Sequence, residues 1–119
     1  MAKKTTGLND VRELALALSG VEESTLHGAP SWKVRGKLLA CPALHRSAEA
    51  DSLAVRIDRV EREVLVQEEP EIYYVTDHYL NHPMVLVRLS RIDRSSLKEL
   101  LGMAWRFAST PPKKTRKKG

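Results

Sequence analysis

Apolar positions near the start of the chain recur at helical spacing and then abruptly stop doing so. Val11, Leu14, Ala15 and Leu18 form one stripe of a helix expected over residues 8–19, with Asn9 as its N-cap and Gly20 just past its end. From residue 22 to 57 the pattern becomes short extended pieces, punctuated by Gly28-Ala29-Pro30, Arg35-Gly36-Lys37 and a polar stretch around 48–51. Strands over 32–35, 38–42 and 53–57 fit this stretch, with Gly36 and Lys37 in a tight hairpin between the first two. Asp58 then opens a second helix, and Glu61 three residues on makes a variant of the reciprocal capping box. Val60, Val64 and Leu65 are expected to face inward, and Pro70 stops the helix. Two more strands are read over 72–76 and 84–89, joined by the polar loop 77–83. Asp93 caps a last helix whose stripe is Leu97, Leu100, Leu101, Ala104, Trp105 and Ala108.

The expected order is therefore helix, three strands, helix, two strands, helix. Links of hairpin length favour antiparallel pairing, because a parallel crossover needs about a dozen residues. The pattern predicts an α+β fold in two layers, a five-stranded antiparallel sheet with helices packed on it. A chain of 119 residues suits one domain, placed here at 8–109, with a disordered N-terminal arm over 1–7 and a basic disordered tail over 110–119.

Charge changes this picture only when it is located. The formal net charge is +5, yet Lys3 and Lys4 at one end and Lys113, Lys114, Arg116, Lys117 and Lys118 at the other carry seven cations with no acid among them. Without those seven, 13 basic side chains face 15 acidic ones, so the folded body is slightly acidic. A basic overall balance therefore says nothing about the domain surface, and any affinity for a polyanion must come from local clusters. The apolar runs cover a few residues each, whereas a membrane span needs about 20, so no membrane partner is expected. Cys41 is the only cysteine, which rules out an internal disulfide and agrees with a reducing cytoplasm.

Three stretches carry a resemblance to a known family: His27-Gly28-Ala29-Pro30-Ser31-Trp32-Lys33-Val34-Arg35-Gly36-Lys37, Tyr73-Tyr74-Val75-Thr76-Asp77-His78-Tyr79, and Val85-Leu86-Val87-Arg88-Leu89 with the closing Trp105. In this order they resemble the MmcQ/YjbR family over about residues 9–108. The resemblance implies a fold like that of secretion chaperones and frataxin-like proteins. It also implies a DNA-binding label drawn from a proposed double-wing shape, and no family-wide catalytic activity. The chain departs from the family pattern at Trp32, where Phe is common, and at Met84, where Trp is frequent.

Two constellations can carry recognition chemistry. Alternation along the 32–37 hairpin puts Lys33, Arg35 and Lys37 on one face and Trp32 and Val34 on the other, a cationic wing able to follow phosphates. The simpler reading is an amphipathic strand with a solvated outer face, and base stacking by Trp32 would require it to be exposed. The 77–83 loop gathers Asp77, His78, Tyr79, Asn81 and His82, which can bond a ligand, or can bond their own turn. A zinc site from Cys41, His45, His78 and His82 is disfavoured, because both i, i+4 pairs fall in extended or loop segments interrupted by Pro42 and Pro83. No cofactor is expected. Catalysis by Cys41 has no base or oxyanion donor in view, and the paired carboxylates sit at element ends.

The leading expectation is a small noncatalytic module for DNA or RNA, docking through Lys33, Arg35, Lys37, His78, Tyr79, Asn81 and His82, with Lys113, Lys114, Arg116, Lys117 and Lys118 supplying attraction. The alternative is a protein or small-ligand binding domain without a nucleic-acid role, for which an apolar pocket near Tyr79 or Trp32 is the distinguishing feature. Either is expected as a monomer or weak dimer.

Overall fold

The computed structural model describes residues 6–110. Its elements are α1 (Leu8–Leu16), β1 (Val21–Leu26), β2 (Ala29–Val34), β3 (Lys37–Pro42), β4 (Ser52–Arg56), α2 (Arg59–Glu68), β5 (Tyr73–Tyr74), α3 (Asp77–Leu80), β6 (Met84–Arg88) and α4 (Arg94–Ser109). The strands form one sheet in the order β1-β2-β3-β4-β6-β5, antiparallel throughout. The α+β class is as expected, but the sheet has six strands rather than five.

The additional strand is β1, the sheet edge that pairs only with β2. Its residues 22–25 are exposed, so it shows none of the apolar alternation that marks a strand, and backbone pairing with β2 holds it in place. Two-residue turns join β1 to β2 and β2 to β3. His27 and Gly28 have φ of +53° and +78°, and Arg35 and Gly36 have +54° and +79°. Two successive positive φ values define the turn whose twist matches that of paired strands, and glycine takes the second place in both. The β2–β3 turn is thus Arg35-Gly36, with Lys37 already in β3.

Asp58 and Asp93 cap α2 and α4 as read from sequence, but among the described residues the reciprocal bond expected from Glu61 does not form. Asp58 accepts from the Val60 N–H at 3.4 Å and Asp93 from the Ser96 N–H at 2.7 Å. The start of α1 differs from that reading: Gly7 is its N-cap, the Asp10 carboxylate accepts from the Gly7 N–H at 2.9 Å, and the helix ends at Leu16, short of Gly20. Thr6, expected in the N-terminal arm, is buried and its hydroxyl donates to the Ile92 carbonyl at 2.6 Å.

The core lies between the sheet and one helical layer. Trp32, Ala40, Leu53, Val55, Tyr73, Val85 and Val87 meet Val11 and Ala15 of α1 and Leu97, Leu100, Leu101, Ala104 and Ala108 of α4. Trp32 is fully buried, and its indole N–H donates to Glu23 at 3.0 Å, while Arg12 binds the same carboxylate and ties α1 to the β1 edge. Trp105 packs on this core as a half-buried ring and donates its N–H to the Ser19 carbonyl at 2.8 Å. Helix α2 departs from the expected facing at two of three positions: Leu65 packs on the core, but Val60 and Val64 are exposed at 68% and 43%, and Arg62 is the buried residue, at 5%.

The opposite face of the sheet is covered more sparingly. Ala54, Met84 and Leu86 form a small second cluster with Leu38, Cys41, Ala43, Ala48, Tyr74 and Tyr79. Its cover is the 43–51 connection between β3 and β4, together with α3.

Candidate functional site

The expected 77–83 loop contains the one-turn helix α3, and buried Arg62 explains how it is held. The Arg62 guanidinium donates to the carbonyls of His82 at 2.8 Å, Met84 at 3.1 Å and Leu80 at 3.2 Å. Arg59 donates to the carbonyl of Asn81. A planar fork with five donors can satisfy several carbonyls at the exit of a short helix, where no backbone partner remains.

The 43–51 connection is fastened to the same region by hydroxyl groups. Tyr74 Oη accepts from the Glu49 N–H at 2.8 Å and shares a 2.6 Å hydrogen bond with Ser52, while Ser47 Oγ meets Thr76 Oγ1 at 2.8 Å. Arg88 lies over the Tyr74 ring at 4.2 Å and pairs with Glu49 at 2.8 Å. These bonds bring His45 against α3. Its ring stacks on His78 with centroids 3.5 Å apart and planes 7° from parallel, and Tyr79 meets the His78 ring edge-on at 4.8 Å.

Beside this stack opens a pocket of about 370 Å³, lined by Leu26, His27, Ala29, Cys41, Pro42, Leu44, His45, His78 and Tyr79. Three of the chain's four histidines line it, and the ring of the fourth, His82, lies 6.4 Å from that of His78. Leu44 stands at the opening, 58% exposed. No carboxylate lines the pocket.

The electrostatics follow from burial and neighbours. The His45 imidazole is held below its ordinary pKa by partial burial, then by His78 and Arg46 beside it, which oppose a second positive charge. Its Nδ1 receives the Ser47 N–H at 3.1 Å, and a backbone N–H can only donate, so the proton of neutral His45 sits on Nε2. Burial pushes the Cys41 thiol up, away from the reactive thiolate. Burial likewise raises Tyr79, partly offset by the His45 backbone N–H directed at its phenolic oxygen.

Of the residues singled out from sequence, the structure gathers His78, Tyr79 and His82 and separates them from the hairpin. Asn81 is exposed and engaged through its backbone, its N–H donating to the Tyr79 carbonyl and its own carbonyl accepting from Arg59. Lys33 is half-buried opposite Leu38, while Arg35 and Lys37 are exposed at the turn. That turn leaves the end of β2 away from Ala29, which lines the pocket, so the two features lie roughly 16 Å apart along the strand. Trp32 lies buried on the helix-backed face, which removes it from base stacking. Lys113, Lys114, Arg116, Lys117 and Lys118 fall outside the described residues.

The ligand set weighed for zinc also comes together in part, since Cys41, His45 and His78 share the pocket. Parallel stacked rings cannot aim their nitrogens at one point, however, and among the described residues no three His, Cys, Asp or Glu side chains are placed to hold a metal ion. Sequence reasoning passed over His27, Leu44 and Arg62. His27 and His45 belong to separate connections, and only the strand pairing of β1, β2 and β3 puts both beside α3.

Comparison with known proteins places the chain among relatives of the same kind. A family model described as YjbR matches residues 16–107. The uncharacterized proteins Rv2570 of Mycobacterium tuberculosis and Mb2600 of Mycobacterium bovis are each 29% identical to it over 107 residues, which covers 78% of this chain and 83% of each relative. The crystal structure of Deinococcus radiodurans protein DR2400, with a DUF419 domain, matches with a TM-score of 0.71 at 18% identity, covering 97% of this chain and 87% of that one. At that identity the likeness speaks for the fold.

Proposed function

The chain belongs to the YjbR family, and on that premise we propose that it is a noncatalytic binding module whose ligand is a small molecule seated between the β1–β2 turn, the 43–51 connection and α3. The observation that carries this reading is the pocket itself. Its volume falls in the range of about 300–1,000 Å³ usual for small-ligand sites, and its lining is mostly apolar with a few polar groups. A thiol raised by burial, a histidine whose Nδ1 is occupied by Ser47 and a lining free of carboxylates favour binding over nucleophilic or acid–base chemistry.

Fragment screening followed by amide chemical shifts tests it. Fragments are expected to move resonances at residues 26–29, 41–45 and 78–79 together, and Leu44→Asp is expected to weaken them without unfolding the chain. A library that leaves those three segments unmoved overturns the reading.

A second reading, nucleic-acid binding, is favoured by one observation: Lys33, Arg35 and Lys37 have no ion-pair partner among the described residues. With Lys113, Lys114, Arg116, Lys117 and Lys118 they would follow a phosphate backbone. If the five tail cations dominate, the log–log salt slope is about −4.5 and flattens in a chain ending at Pro112. If that shortened chain still binds DNA or RNA at low salt and loses it on Lys33→Ala with Lys37→Ala, the hairpin contributes.

A further inference from the structure

The hydrogen-bonding capacity left over in the pocket points to one class of ligand. His45 offers its Nδ1 lone pair to the Ser47 N–H, which leaves the Nε2–H as the group it can still direct outward, and that group donates. Tyr79 adds a phenolic O–H to the same lining, which can donate to a ligand. His45 thus has its accepting nitrogen engaged internally and its donating nitrogen free, and Tyr79 supplies a second donor. Leu26, Ala29, Pro42 and Leu44 give the lining its apolar part, and His27, Cys41 and His78 complete it.

The surrounding charge agrees with that count. Arg46 is exposed next to His45 and close enough to act on it, and among the lining residues there is no Asp or Glu to repel an anion. Glu49 is paired with Arg88, while Asp77, at the start of α3, is exposed and outside the lining.

We infer that the ligand is a small organic acid, with an apolar body, aromatic or branched, against Leu26, Ala29 and Leu44, and a carboxylate that accepts from His45 Nε2–H and Tyr79 O–H with Arg46 at the rim. This rests on the pocket reading above and adds the chemical class. A carboxylate is an acceptor without protons of its own, so it matches the His45 and Tyr79 donors, and hydrogen bonds to a charged acceptor are about twice as strong as neutral ones. A primary amide of the same shape brings its own N–H donors, and an amine brings only donors and a positive charge beside Arg46.

The experiment compares benzoate and indole-3-acetate with benzamide, indole-3-acetamide and benzylamine, titrated into the full chain and followed by backbone and imidazole chemical shifts. The expected result is binding of the acids at residues 41–46 and 78–79, the amides at least about tenfold weaker, and no response to the amine there. Tyr79→Phe, which keeps the ring and removes only the O–H, is expected to weaken the acids about tenfold and the amides far less. Arg46→Gln is expected to weaken the acids a few-fold, more at low salt than at high. Amides binding as tightly as acids in the same segments overturn the acid class while the pocket reading stands. Acids that instead move Lys33, Arg35 and Lys37 show attraction to exposed cations and overturn the assignment to this pocket. Silence of all five probes at millimolar concentration overturns the organic-acid class; the broader fragment screen separately decides whether the pocket binds at all.

Discussion

The two faces of the sheet are built from the same six strands and serve different ends. On one, Trp32, Leu53, Val55, Val85 and Val87 meet three helices, and large side chains fill the space between the layers. On the other, three buried residues are roofed by a loop and a single helical turn, and the roof leaves a pocket open. A filled interface stabilises the chain, while a partly filled one leaves apolar surface and polar groups available to something else. On the proposed reading, stability and recognition fall to opposite sides of one sheet, and adjacent residues of a strand contribute to each.

Substitutions sharpen this contrast in a graded way. Trp32→Ala removes the largest buried side chain of the filled face and the N–H bonded to Glu23, and is expected to cost about 3–5 kcal/mol in denaturant unfolding. Leu44→Ala, at the mouth of the pocket, is expected to stay within about 0.5 kcal/mol. Equal losses at the two positions would abolish the distinction between the faces.

Arg62 joins the two sides, since it leaves α2 and holds the carbonyls of Leu80, His82 and Met84. Arg62→Leu is expected to cost about 1–3 kcal/mol, because buried acceptors lose their donor, and to speed hydrogen exchange over residues 77–84 more than in β2 or β4.

Opposite pH extremes should also find opposite faces. Burial pushes the Tyr73 phenol up to about 12, with Glu69, Asp93 and Glu99 acting in the same direction. The folded state then keeps a proton that the unfolded state has lost, so stability falls as pH rises above the ordinary tyrosine value of about 10 and until the folded pKa is passed. Near pH 11 the loss is about 1 kcal/mol, and Tyr73→Phe is expected to remove that slope from the unfolding midpoint.

The smallest effect belongs to the roof. The Arg88 guanidinium bonded to Glu49 holds that carboxyl below its usual pKa, so the contribution is present at neutral pH and is lost as acid protonates the folded carboxylate. Hydrogen exchange in the 43–51 connection is expected to quicken as pH falls through that range once the intrinsic pH dependence is removed, and Glu49→Gln to show the acid behaviour already at neutral pH. No change in that connection would mean the roof does not depend on this pair.

Much of the fold was legible because its signals are local. Apolar spacing in α4, the caps at Asp58 and Asp93, and the glycine at the β2–β3 turn each act within a few residues, and each stands where it was expected. The edge strand β1 was missed because four exposed residues in a row leave no alternation to read. The facing of α2 was misread because Val60 and Val64 have core-like spacing, yet the carbonyls that draw Arg62 inward lie 18 to 22 residues further along the chain. Of the candidate site, His78 and Tyr79 stood out in sequence as binding residues and His45 only as a disfavoured metal ligand, whereas His27 was not singled out.

By itself the order of residues determined the three longer helices, most of the strands and their antiparallel pairing, since periodicity, capping and short links are properties of neighbouring residues. Only the tertiary structure decided which side of α2 turns inward, that His45 stacks on His78, and that a pocket stays open beside them. Those outcomes depend on surfaces brought together across roughly 20 to 30 residues, where satisfying buried carbonyls and fitting ring against ring outweigh any local preference.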